Sequence, residues 1–237
     1  MPNIIGNGLP GKDGTDGFDF TTPVQQGIKG NDANCNWLDD DCAQSGGPGG
    51  HGVQGGTGGP GGHAGHGSTI DIEVNSFSAF VALSAIGGTG GNGGSGGKGQ
   101  DGGKGGNGGN GRGCELGAVG GNGGNGGDAG IGGKGGNGGN GGTIVVRTRN
   151  IADGNQSVID ISGGAAGRGG TPGDPGLAGP PGDPGATTEY FSTSSDCPRM
   201  GFQPIWGRAG LNPDPEKSSL GNGAVGEKGN SQFLQIP

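Results

Sequence analysis

The feature that most constrains this chain is an unbroken three-residue period. From residue 87 to residue 143 the sequence divides without a frame slip into 19 triplets, and 14 of them read Gly-Gly-X, with Asn as X in seven. A polyproline II helix has three residues per turn, so this pattern gives two edges without side chains and one decorated edge. Bare edges allow backbones to approach closely enough for N–H···O=C bonds, supported by Cα–H···O contacts. The period therefore predicts a bundle of polyproline II, or polyglycine II, helices.

The amino-acid composition excludes a conventional apolar core. Glycine occupies 71 of the 237 positions and apolar residues make up 26%, whereas ordinary globular proteins contain roughly 45–50% apolar residues. Each glycine also loses more conformational freedom on folding than any other residue. Main-chain hydrogen bonds must therefore hold the fold together. We expect a mostly irregular and β structure with no significant α-helix.

The lengths of the helices within this block can be read in two ways. The imperfect triplets at 99–101, 114–116 and 129–131 divide it into four legs of twelve residues. Alternatively, only the break near 111–119 is a turn, which leaves two legs about twice as long. The sequence leaves both readings open.

Two segments of a different kind interrupt the glycine blocks, at residues 68–86 and 143–162. Both alternate apolar and polar residues and are rich in β-branched side chains, which is typical of strands. We predict a β-hairpin in each. Thr69 and Ile70 of the first align with Thr143 and Ile144 of the second, which indicates an internal duplication of strand, turn, strand and glycine block.

The remaining blocks suggest three regions. A glycine block at 46–67 and a collagen-like block at 164–187 extend the bundle to residues 46–187. Collagen itself requires a Pro-rich repeat, so a triple helix is disfavoured for residues 87–143. Residues 1–45, with a short collagen-like run and a cysteine loop, and residues 188–237, which hold several aromatic residues, are predicted to be N- and C-terminal caps.

The Gly-Gly-Asn and Gly-Gly-Lys triplets and their turn spacing resemble three glycine-rich systems. These are the snow-flea-type antifreeze proteins, the tip adhesins of T-even-like phage tail fibres and the PGRS-type repeats of mycobacterial surface proteins. The resemblance covers about half of the chain. It implies an antiparallel polyproline II bundle, and in the first system it also implies disulfides and ice binding.

Two sets of side chains could bind a metal. His51, His63 and His66 include an HAGH run, but residues three apart on a polyproline II helix lie about 9 Å apart along the axis, too far to share one ion. Asp39, Asp40 and Asp41 could bind calcium through several oxygens, although they lack the spacing of an EF-hand. Surface side chains and a solvated turn are the favoured interpretations, and we predict no cofactor.

Four cysteines allow three pairings. Cys35 and Cys42 enclose a short loop, which leaves Cys114, at a predicted turn, for Cys197. Such disulfides would stabilise a bundle with little core, typically by about 2–4 kcal/mol each. In a reducing compartment the four residues would instead be free thiols.

The predicted function is structural and non-catalytic, because no nucleophile elbow or phosphate-binding loop is present. The net charge of −8 is dispersed, which disfavours nucleic-acid partners, and we expect no membrane insertion. We predict a self-assembling subunit of an extracellular or virion-surface fibre, with copies of itself or another fibre protein as partners. A binding module, either an adhesin for a surface glycan or receptor or an ice binder, is the alternative. The N-terminal residues show no recognisable secretory signal. The predicted assembly ladder consists of Asn92, Asn107, Asn110, Asn122, Asn125, Asn137 and Asn140.

Overall fold

A computed structural model describes residues 3–35, 40–112, 116–187, 206–213 and 219–237. Within these residues the chain runs back and forth as six extended legs joined to short strands. The legs, numbered 1 to 6 in chain order, span residues 6–33, 42–68, 85–111, 117–142, 161–187 and 206–229, the last with 214–218 outside the description.

The legs are held together by backbone hydrogen bonds that recur every third residue. The amides of Gly88, Gly91 and Gly94 in leg 3, for example, donate to carbonyl oxygens of leg 2 at 2.9 Å. Gly221 is the one described residue with a positive φ, so the other glycines adopt the extended backbone that any L-residue could adopt. Glycine is therefore used for close packing, and the fold is a polyproline II bundle without an α-helix in the described residues.

The legs form two layers of three, and the chain alternates between them. Legs 1, 3 and 5 lie side by side in parallel as the odd layer, and legs 2, 4 and 6 form the even layer. In each layer, glycine amides donate to the carbonyls of the next leg, for instance Gly11 to Thr89 and Gly90 to Ala165, both at 2.8 Å. The two layers run antiparallel, because each turn returns the chain on the opposite side.

At one end of the bundle each leg continues into a strand. The odd layer ends in a parallel sheet of order β1-β5-β7 and the even layer in a parallel sheet of order β4-β6-β8. A two-residue ribbon, β2 with β3, joins legs 1 and 2 at the other end. The bounds are β1 Asn3–Ile5, β2 Asn34–Cys35, β3 Asp40–Asp41, β4 Thr69–Val74, β5 Val81–Ser84, β6 Thr143–Thr148, β7 Ser157–Asp160 and β8 Asn230–Gln235, with a 3-10 turn at Ile151–Gln156.

A small apolar core fills the space between the two sheets. Leu83 from the odd layer and Ile144 and Val146 from the even layer are fully buried there. Alternating burial along β6 places these side chains on one face of their strand. The apolar residues of the sequence are thus concentrated where strands replace glycine legs.

The predicted strands and the internal duplication are confirmed, but the predicted hairpins are wrong. β4 pairs with β6 in parallel, with Thr69 opposite Thr143 and Ile70 opposite Ile144, and β5 pairs with β7 in the same way. The turn after β4 and the turn after β6 each lead into the other layer. Sequential strands therefore lie in different sheets, and equivalent strands of the two repeats become neighbours.

The leg lengths follow the second of the two readings. Legs 3 and 4 are each continuous over residues 85–111 and 117–142 and run antiparallel, so the division into four twelve-residue legs is wrong. The imperfect triplets at 99–101 and 129–131 remain inside the ladder, since Gly127 donates to the carbonyl of Gln100 and Gly130 to that of Gly97. A non-glycine residue is accommodated there without a reversal of the chain.

The two terminal regions, which the sequence predicts to be caps, contribute legs to the bundle. Residues 6–33 form leg 1, and residues 206–213 with 219–229 form leg 6. Legs 1 and 6 carry one glycine row, which is sufficient for a leg with a neighbour on only one side of its layer. The boundaries of the three predicted regions remain predictions.

Candidate functional site: two flat faces of locked side chains

The close packing of legs forces the X residues of the inner legs 3 and 4 onto the outside of the bundle, while Ala85, Gln100 and Ala118 are buried. A Cβ added at Gly105 would lie 2.1 Å from the carbonyl oxygen of Gly121, and one at Gly135 would lie 2.1 Å from that of Gly167. Both distances are far below van der Waals contact. The X residues of the triplets therefore form regular rows on two outer faces, the odd face and the even face.

All seven asparagines of the predicted ladder lie on these faces, where each one binds the neighbouring leg of its own chain. Their Oδ1 atoms accept a hydrogen bond from the backbone N–H of an X residue in that leg, at 2.8–3.1 Å. We call these contacts staples. The donors are Arg168 for Asn92, Asp183 for Asn107, Ala186 for Asn110, Arg208 for Asn122, Leu211 for Asn125, Ala224 for Asn137 and Glu227 for Asn140.

Histidines and aspartates of the edge legs make the same kind of staple. The Nδ1 atoms of His51, His63 and His66 accept the N–H groups of three leg 4 asparagines at 2.8–3.0 Å. Along leg 1, carboxylates do the same for leg 3 at 2.6–2.7 Å. These are Asp13, Asp16 and Asp19.

The histidines are thus surface side chains with a defined partner. In the described part of the chain, no group of three His, Cys, Asp or Glu residues could hold a metal ion. Of the candidate calcium residues, Asp41 is exposed, while Asp39 and the side chain of Asp40 lie outside the described residues. A calcium site there stays a prediction.

Staples also shift the acidity of some carboxyl groups. The backbone N–H of Leu177, and then the ammonium of Lys98, lower the pKa of Asp101 below its usual value. The pKa of Asp32 is lowered by Lys29 and by the N–H of Asn110. Both carboxylates are exposed, so these shifts report hydrogen bonding to the charged form rather than burial.

The two faces differ in charge. Among the described residues, the rows of the odd face carry seven acidic and four basic side chains, whereas those of the even face carry two of each. The charged residues of the even face are Asp128, Lys134, Arg208 and Glu227. The even face is therefore close to neutral, and Asn and His are its commonest side chains.

The triplet pattern is interrupted at residues 20–26 of leg 1, 52–54 of leg 2 and 99–101 of leg 3, which lie at the same level of the bundle. At this level leg 1 bulges away from leg 3. The amide of Gln100 fills the gap: its Nε2 donates to the carbonyl of Thr22 at 2.7 Å, and its Oε1 accepts from the N–H of Val53 at 3.2 Å. A side-chain amide thus substitutes for missing backbone contacts. The groove above it, lined by Phe20, Pro23 and Lys98 among others, has a volume of about 510 Å³.

Removal of one staple is expected to cost a small but measurable part of the stability. Asn137→Ala deletes the acceptor of the Ala224 N–H, which lies 2.9 Å away, and a hydrogen bond of this kind contributes about 1 kcal/mol net. The control is Lys134→Ala in the same row, because the Lys134 side chain has no hydrogen-bond partner among the described residues. Chemical denaturation should show a lower midpoint for Asn137→Ala alone. Equal midpoints would show that the staples are incidental.

The cysteine pairing remains a prediction. Cys42 is disulfide-bonded, but the side chain of Cys35 and all of Cys114 and Cys197 lie outside the described residues. The loop closure predicted between Cys35 and Cys42 is compatible with the β2–β3 ribbon, whose strands pair Asn34 with Asp41.

Comparisons with known proteins give one point of reference. No protein-family model matches the chain, and no curated protein matches it. Among solved structures, it is similar to a springtail antifreeze protein from Granisotoma rainieri, a bundle of nine polyproline type II helices whose crystal waters match the ice lattice. The identity is 29% over 69% of this chain and 93% of that chain, with a TM-score of 0.14. Within the described residues, no helix is both long and apolar enough to cross a lipid bilayer.

Proposed function

We propose that this chain is a non-catalytic binding module, and that its even face recognises a surface with a repeating array of hydroxyl oxygens. Ice and the surface of an insoluble polysaccharide both present such an array. The proposal adopts the alternative that the sequence left open, in preference to the fibre subunit. It places the site of action outside the cell, where a disulfide such as that of Cys42 persists.

The observation that carries the proposal is the locking of the face side chains by staples. The Oδ1 of Asn125, for example, accepts a hydrogen bond from the backbone N–H of Leu211, and the backbone N–H of Asn125 donates to Nδ1 of His51. Each stapled amide therefore has one preferred orientation, with its Nδ2 donors directed away from the backbone that it binds. Preorganised groups lose little conformational entropy on binding.

Periodicity and charge support the same target. Within each row the side chains recur about every 9 Å along the leg, which suits a target that is itself periodic. The balanced charge of the even face avoids the cost of stripping water from many ions. The acidic odd face meets this condition less well, so the two faces provide an internal comparison.

The fibre prediction has less support from the geometry. The asparagines were expected to form amide ladders between molecules, but their Oδ1 atoms already accept hydrogen bonds within the chain. Assembly into a fibre would have to use other groups.

The proposal is tested with a matched pair of threonines. Thr57 on the even face and Thr89 on the odd face are both exposed X residues of Gly-Gly-Thr triplets, and neither side chain is bonded within the described part of the chain. Thr57→Lys should lower binding severalfold, because a long charged side chain separates the flat face from its target. Thr89→Lys should leave binding unchanged.

Two assays distinguish the sources of the hydroxyl array. Thermal hysteresis and partition into slowly growing ice measure ice binding, and co-sedimentation with cellulose or chitin measures polysaccharide binding. Activity in one assay identifies the target. Activity in neither assay, or equal loss in both variants, would refute the assignment of the even face.

A further inference from the structure

Leg 2 differs from every other edge leg in its glycine content. Legs 1, 5 and 6 carry about one glycine per triplet, whereas leg 2 carries mostly two, like the inner legs 3 and 4. In leg 4 the second glycine row packs directly on leg 2, since a Cβ added at Gly124 or Gly133 would lie 1.8–2.0 Å from a leg 2 carbonyl oxygen. The described chain places no further leg beyond leg 2 in its layer.

The second glycine row of leg 2 is consequently left open on one side. In the middle of the row, Cβ atoms added at Gly56 and Gly59 would approach leg 1 at 2.3 and 2.9 Å. Cβ atoms added at Gly47, Gly50, Gly62 and Gly65 would also meet only the adjacent leg 1, at 3.0–3.2 Å. These four glycines are partly or fully exposed, whereas the equivalent glycines of leg 4 are buried. The row is built for close backbone packing but lacks a neighbour on its outer side.

Backbone hydrogen-bonding groups of the X residues at the same edge of leg 2 are also unused. In leg 4 the X carbonyls accept backbone N–H groups from leg 2, as Asn125 does from Gly52 at 2.8 Å. In leg 2 the X residues His51, Thr57 and His63 have neither a backbone donor for their carbonyls nor an acceptor for their N–H groups within the described chain. Unpaired backbone groups in a regular row invite pairing with another chain.

We propose that this edge of leg 2 is a dimer interface, at which leg 2 of a second copy packs antiparallel around a twofold axis near Thr57. The row is self-complementary because five of its seven X residues offer both a donor and an acceptor, and Pro48 and Pro60 offer an acceptor alone. Antiparallel pairing centred on Thr57 places Pro48 opposite His66 and Pro60 opposite Gln54. Each proline, which lacks an N–H, then faces a residue that has one.

Apolar side chains flank the proposed interface. Leu9 and Phe18 of leg 1 border the open glycine row and are 78% and 82% exposed. At about 3.1 Å per residue, residues 46–67 extend roughly 65 Å. A contact about one leg wide along this length removes on the order of 600 Å² per partner, in the range of specific interfaces.

At the opposite edge of the molecule the outward row of leg 5 is blocked, whereas in leg 6 the N–H groups of Ala209, Val225 and Lys228 have no backbone acceptor among the described residues. Prolines occupy four positions of the outward row of leg 5, where an N–H would otherwise point at a further leg. The N–H groups of Gly169 and Ala178 in the same row are held by the side chains of Asn222 and Asn212. A twofold interface uses up the open edge of leg 2 in both partners, which gives a closed dimer instead of a fibre. The prolines are Pro172, Pro175, Pro181 and Pro184.

The mass of the full chain in solution tests this inference independently of any binding activity. Sedimentation velocity and light scattering from micromolar to millimolar concentration should give twice the chain mass of 22.5 kDa. Leu9→Glu, which places two charges at the interface, should weaken the dimer at least tenfold. Val225→Glu on the opposite edge, where the side chain is 70% exposed, should leave it intact.

A second variant tests the same interface without introducing a charge. Thr57→Pro removes the N–H next to the proposed axis in a row where Pro48 and Pro60 already occur, and it should also weaken the dimer at least tenfold. A monomer at all concentrations would overturn the inference. So would a species larger than a dimer, or equal effects of Leu9→Glu and Val225→Glu.

Discussion

Gly105→Val is expected to destabilise the bundle by about 3–5 kcal/mol. The new Cβ would lie 2.1 Å from the Gly121 carbonyl oxygen, an atom of rigid backbone. Legs 3 and 4 must separate to relieve this overlap, and several interleg hydrogen bonds worth about 1 kcal/mol each are lost with it. Few single substitutions have effects of this size.

The matched control is Asn107→Val, two residues along the same leg. Asn107 is exposed, and its replacement removes one staple, the 3.1 Å hydrogen bond from the N–H of Asp183, at a cost of about 1 kcal/mol. Urea denaturation of the three proteins, monitored by circular dichroism, gives both differences. Equal stability of the two variants would contradict the packing of glycine rows described above.

Asp153→Ala is expected to destabilise the strand end of the bundle by about 2–4 kcal/mol. Asp153 is fully buried in the turn after β6, and its Oδ2 accepts from the hydroxyl of Thr148 at 2.6 Å and from the N–H of Phe77 at 3.1 Å. Its other oxygen, Oδ1, is buried without a partner among the described residues. Alanine would leave a buried donor unpaired, which costs about 1–3 kcal/mol per group.

Two further substitutions separate this contact from a general effect of charge. Asp153→Asn keeps an acceptor oxygen and should recover part of the loss, whereas Asp174→Ala, at an exposed position, should have no effect. Thermal unfolding followed by differential scanning calorimetry measures all three. If Asp153→Ala melted at the same temperature as the wild-type protein, the carboxylate would not be what connects the turn after β6 to Phe77 in the turn after β4.

Much of the local structure could be predicted because it depends on period alone. The strict triplet frame implies three residues per turn, and the alternation around Ile70 and Ile144 implies strands. The alignment of Thr69 with Thr143 coincides with the register in which β4 and β6 pair, although the sequence predicted hairpins and not this pairing. These features depend only on the backbone conformations and the packing distances that the residues allow. Residues that are neighbours in the sequence are sufficient to specify both.

The staples could have been anticipated only in part. Asn, His and Asp recur at the same three-residue interval as the glycines, and a shared period is a signal of contact between legs. The acceptor for a given N–H, however, lies 74 to 87 residues away in most staples. When the arrangement of the legs is not known, contacts between molecules explain Asn107 and Asn137 as well as contacts within the chain do.

The sequence by itself therefore determined the polyproline II conformation, the strand segments and the need for main-chain hydrogen bonds in place of an apolar core. The tertiary structure alone decided which legs are neighbours, that equivalent strands pair in parallel, that the asparagines bind within the chain and that leg 2 keeps an open edge. The physical reason is that a glycine row specifies how closely another backbone can approach but carries no side chain to select the partner. That choice depends on the direction in which each turn returns the chain and on hydrogen bonds that form only once the layers are assembled.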